Sequence, residues 1–115
     1  MGLGGGGDIV KSNSLGATAT MIQKGPVCVT AVKAINTTGA DAYIQLFDAA
    51  AAADVTVGTT VPDWVVLSDF GAGLTSLGDG LPTDGLLFKL GVVAASCTTP
   101  TGNTAATQHL RVVIR

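Results

Sequence analysis

Apolar residues along this chain fall into short runs with a period of two, separated by Gly, Pro, Asn and Asp. That period belongs to strands, whose successive side chains point to opposite faces. Thr18, Thr20 and Ile22 alternate with Ala19, Met21 and Gln23, and Lys24-Gly25-Pro26 then forms a turn. From Val27 to Ile35 one face carries Val27, Val29, Ala31, Lys33 and Ile35, the other Cys28, Thr30, Val32 and Ala34. Asn36 to Asp41 has turn composition, and Ala42 to Asp48 is the next strand, with Ile44 and Leu46 opposite Tyr43, Gln45 and Phe47.

The five alanines Ala49 to Ala53 have high helix propensity, but a run this short between Asp48 and Asp54 supports one turn at most. Val55 to Asp63 reads as an extended connector, and Trp64 to Ser68 as a strand. Gly71 to Gly85 is loop and turn sequence with room for a short strand at Leu74 to Leu77. Gly85 to Leu90 leads into the apolar run Gly91 to Thr98. A polar loop, Thr99 to Thr107, precedes a closing strand from Gln108 to Ile114. The pattern predicts an all-β chain: an antiparallel β-sandwich, Ig-like or jelly-roll, of about seven or eight strands. No period of about 20–50 residues repeats, so solenoids and propellers are excluded.

The first fourteen residues stand apart. Four consecutive glycines, Gly4 to Gly7, cost too much entropy to order for their own sake. The expectation is a flexible arm over residues 1–14 and a sandwich domain over 15–115. Leu3, Ile9 and Val10 are its candidate partner-binding residues, able to anchor it on another subunit.

Composition sharpens the setting. The chain has 115 residues, one domain's worth, with 47% hydrophobic but only 12% charged and 4% aromatic residues. Ordinary soluble domains carry about 25% charged residues, so burying surface against copies of itself or a partner is expected. All eight acids are Asp, a cap and turn residue, which weakens helix readings further. Net charge is −2, the six cations are scattered and the aromatics are few, which argues against direct nucleic-acid binding. No basic-apolar leader and no uninterrupted apolar span of about 18 residues occurs, so neither secretion nor a membrane is expected.

Candidate chemistry is sparse. Gly2-Leu3-Gly4-Gly5-Gly6-Gly7 matches a dinucleotide fingerprint formally but lacks the preceding strand. His109, the only histidine, alternates with apolar residues and reads as a solvent-facing or interface side chain. Asp79 and Asp84 flank Gly80 to Thr83, where turn chemistry is the simpler reading than a cation or an acid–base pair. Cys28 and Cys97 each sit in an apolar run and are expected to be free, buried thiols rather than a disulfide or metal ligands. Asn36-Thr37-Thr38 is a formal sequon without meaning unless secreted. Trp64 reads as a core plug, with a sugar platform as its alternative. No catalytic residues, cofactor or metal are assigned, and the chain is not expected to be an enzyme.

Three strings carry a resemblance: AYIQLFDAAAAADVTVGTTVPDW, GLLFKLGVVAASCTT and TGNTAAT before the last strand. They resemble small structural virion proteins of tailed bacteriophages over residues 27–114. The resemblance implies a β-sandwich virion protein, assembled in the host cytoplasm, of the head-decoration or cement type. It implies self-association as a homotrimer, and binding across major capsid protein subunits or to another virion protein. Tyr43, Phe47, Trp64 and Phe88 would then be core or interface residues. A neck, tail or head-fibre component is the alternative, and a carbohydrate-binding adhesin module using Trp64 and Tyr43 is another.

Overall fold

A computed structural model describes residues 9–36, 38–68, 74–76 and 85–115. Among these, nine strands form two antiparallel sheets: β1 (Ile9–Leu15), β2 (Thr20–Lys24), β3 (Val27–Ile35), β4 (Ala42–Asp48), β5 (Trp64–Ser68), β6 (Leu74–Ser76), β7 (Leu86–Phe88), β8 (Gly91–Cys97) and β9 (Gln108–Ile114). One sheet runs β1-β9-β3-β6, with β7 also paired to β3; the other runs β2-β8-β4-β5. β6 lies against Lys33–Ile35 and β7 against Val27–Val29, so the two are successive pieces of one edge position. Counted that way, eight strand positions cross between the sheets in the order of two Greek keys. This is jelly-roll connectivity, one of the two sandwich topologies left open by the sequence.

The core between the sheets follows from the period-two pattern. β9 alternates between buried and solvent-facing positions, with Leu110, Val112 and Ile114 inside. Val29, Val32 and Ala34 of β3 meet them from the next strand, and Ile44, Leu46, Val92 and Ala94 face them from the opposite sheet. β3 keeps both flanks of this pattern inside by a bulge between Val29 and Ala31, which shifts the alternation by one residue. The single-face assignment expected for Val27 to Ile35 is therefore corrected. Val27 and Val29 face in, then Val32 and Ala34, while Ala31, Lys33 and Ile35 are half-buried or exposed. The hydroxyl of the bulged Thr30 donates to the Val113 carbonyl at 3.2 Å.

The second sheet is covered on both faces, and every residue of β8 is buried. On its outer side Phe47, Val93, Ala95 and Cys97 pack with Ala49 and Val55 of the β4–β5 connector. The alanine run folds as the expected single turn, a 3-10 turn over Ala52–Asp54. Its small side chains let the connector lie close to the small outward residues of β8.

The N-terminal boundary differs from the expected one. Residues 9–14 are strand, and β1 pairs in continuous register with β9 from Ile9 opposite Ile114 to Leu15 opposite Gln108. The entropic cost of Gly4 to Gly7 does not extend to the residues after them, and an edge strand needs only one paired neighbour and tolerates the polar Lys-Ser-Asn-Ser stretch. The first eight residues, Leu3 included, lie outside the described residues, as do Asp79 and Asp84.

Candidate interaction faces

The polar side chains most suggestive of chemistry are occupied in holding the fold. Asp48, at the end of β4, accepts backbone N–H bonds from Leu90 at 2.8 Å, Lys89 at 3.0 Å and Gly91 at 3.4 Å. Burial pushes its carboxyl up, but those three donors and the Lys89 charge outweigh this and hold it below the ordinary value of 3.8. Gly91 allows the close turn, with φ of 151° and the Ala49 and Gln23 carbonyls 2.9 Å from where a Cβ would sit. Asp63 accepts from the Asp48 N–H at 2.6 Å, fixing the far end of the connector.

Three amides act in the same way. Asn36 donates to the carbonyls of Ala40 and Ser68, both at 2.9 Å, and accepts from the Thr38 N–H and hydroxyl. It is a buried clamp for the β3–β4 turn, with no amide left for a glycan. Gln45 donates to the carbonyls of Thr99 and Gly102, both at 3.2 Å, holding the loop after β8 against the outer side of β4. Gln108 donates to the Ser96 hydroxyl at 2.7 Å, and Ser96 in turn donates to the Ala106 carbonyl. No signal in the sequence marked Gln45, Ser96 or Gln108; period-two patterning gives a buried polar residue the same slot as an exposed one.

The two cysteines form no disulfide and lie on different sheets, Cys28 on β3 and Cys97 on β8. Cys97 is fully buried, and burial pushes its thiol up, the inert state of a packed cysteine. Cys28 is only half-buried, beside Gly85, where a Cβ would come within 2.5 Å of its sulfur. Among the described residues no group of three or more His, Cys, Asp or Glu is placed to hold a metal ion. No helix among them is long and apolar enough to cross a membrane.

Trp64 and Tyr43 do not form a common platform. Trp64 pairs with the inward Leu46 and packs against the main core, whereas Tyr43 pairs with Leu67 three places along, on the opposite face of β4 from Ile44 and Leu46. The two rings are divided by the sheet, so the sugar-stacking alternative loses its geometry.

The two outer faces are unequal. That of the β2-β8-β4-β5 sheet is roofed by the β4–β5 connector and the loop after β8. The outward residues of β3, β7 and β9 remain half-buried or exposed: Cys28, Ala31, Lys33 and Ile35, Leu87, then His109, Arg111 and Val113. Leu87 is 60% exposed and Leu90, in the following turn, 55%. His109 stands on this face opposite Ile35, solvent-facing as expected. Ile9 and Val10 are brought to β1, the terminal strand of the same sheet, opposite Ile114 and Val113. No protein-family model, curated protein or solved structure matches this chain.

Proposed function

We propose that this chain is a structural virion protein, of the kind that decorates and cements a tailed-phage head. It would act by self-association, as a trimer, and by contact across major capsid protein subunits. The observation that carries the reading is the inequality of the two sheet faces. One is roofed over Phe47, Val93 and Ala95 by the chain's own connectors, which leave Leu67 and Val61 exposed beyond that cover. The other displays Ile35, Leu87 and Val113 among cations, with no such roof among the described residues. Exposed apolar side chains on a charge-poor chain fit a surface that is covered in use. Asp48, Asp63, Asn36 and the Gln45 amide nitrogen are meanwhile spent on turns and loops.

The resemblance of residues 27–114 to phage virion proteins supplies the setting. Jelly rolls serve viral capsids, lectins and cupins alike, so the fold by itself favours none of them. Repetition supplies the mechanism: contacts of about 800 Å² per partner are individually modest, and many copies on a lattice act together. Leu3 would contribute from the N-terminal segment, and Ile9 and Val10 through the outer edge of β1.

The test is reconstitution. Heads prepared without the protein should bind added purified protein to saturation and then resist heat or chelator better than bare heads. Failure of the protein to sediment with heads, or its absence from intact particles by mass spectrometry, would overturn the capsid reading.

A further inference from the structure

Among the described residues, charge is not spread evenly. The four described carboxylates, Asp41, Asp48, Asp54 and Asp63, all belong to the β2-β8-β4-β5 side, on β4 or immediately around it and its connector. On the bare outer face of the other sheet, Lys33 and Arg111 are direct cross-strand partners. Like charges placed directly opposite each other on one sheet face repel. The described part of that face offers no carboxylate to relieve them.

We infer that this cationic, partly apolar face of β3 and β9 docks the acidic connector side of a second copy of the chain. The inference deepens the self-association proposed above and rests on it. Three observations lead to a second copy. First, the complementary charge is already present: Asp54 is exposed on the 3-10 turn that roofs the opposite sheet. Asp48 and Asp63, by contrast, are occupied with backbone N–H groups.

Second, symmetric pairing of two bare faces would set Lys33 and Arg111 against cations of the twin, so the contact must join unlike surfaces. Such heterologous contacts build rings when the rotation closes, as any cyclic trimer requires, and filaments when it does not. Third, the molecule measures 40 × 31 × 22 Å, so a broad side has room for the roughly 800 Å² per partner of a specific interface. Val113 and Leu87 would supply its apolar part, and the cations would fix which side of the neighbour is chosen.

Charge reversal tests this, with native mass and sedimentation as readouts. Wild-type protein should associate, and more weakly as salt is raised. Lys33→Asp combined with Arg111→Asp should weaken association at least tenfold. Adding Asp54→Lys to that double variant, or mixing the double variant with the Asp54→Lys protein, should recover it. Lys33→Gln with Arg111→Gln, which leaves no reversed charge, should fall between, and thermal melts establish that each variant folds. A double variant that keeps the wild-type mass overturns the inference and leaves the self-association reading standing. Loss without recovery by Asp54→Lys overturns the second-copy assignment, because the face then serves another acidic partner. A monomeric wild type overturns both.

Discussion

Asp48 concentrates more of the local structure than any other side chain described. It ends β4, gathers the three N–H groups of the β7–β8 turn, and its own N–H is held by Asp63. Removing it with Asp48→Ala should cost about 1–3 kcal/mol, the range for hydrogen bonds to a charged group left without their acceptor. Its pH dependence has a definite sign. A carboxyl held below 3.8 binds its proton less tightly folded than unfolded. Its stabilisation is therefore complete above that value and is lost as pH falls through the native value. Urea melts of wild type and Asp48→Asn should differ at neutral pH and converge as the pH falls below the native value; a constant difference would contradict the assignment. Gln45 offers a second check. Gln45→Ala should cost about 1–2 kcal/mol by freeing two carbonyls and should raise hydrogen exchange in residues 98–107 with little change elsewhere. At this scale the sequence was least informative. The Asp48 and Gln45 roles depend on which distant backbone groups arrive beside them, and neither alternation nor composition encodes that.

Elements were legible where alternation was clean. Val27–Ile35, Ala42–Asp48, Trp64–Ser68 and Gln108–Ile114 have the bounds that pattern and turn residues indicate. The alanine corner is one turn, as its length demanded. Two readings failed for a physical reason. The bulge in β3 swaps faces halfway along the strand, and no local residue announces it. Residues 9–14 were grouped with an arm because they follow four glycines, although a ladder with β9 pairs their backbone. The correction changes the experiment. Deleting residues 1–14 would strip β1 from the sheet and should lower thermal stability substantially. Deleting residues 1–8 should leave the melting temperature close to wild type while weakening retention on heads. The connector after β4 was legible as a connector, but its use as a roof was not. Phe47→Ala, which empties the middle of that second core, should cost about 3–5 kcal/mol and raise dye binding to exposed apolar surface.

At the scale of the whole molecule, composition carried the most. Few charges and many small apolar residues raise the expectation of surface to cover, and the jelly roll shows which of its faces the chain itself covers. One sheet is roofed from within by Ala49, Val55 and their neighbours, and the other keeps Leu87, Ile35 and Val113 at its surface beside Lys33 and Arg111. What composition could not place was the pairing of Lys33 with Arg111 on one face, away from the described carboxylates, which arises only when β3 and β9 become neighbours. The same asymmetry makes assembly the central claim. Sedimentation equilibrium of the purified wild-type protein at micromolar concentration and moderate salt tests it most directly. The expected result is a defined multiple of the 11.4 kDa chain mass, and a single species at that chain mass across the concentration range would contradict it.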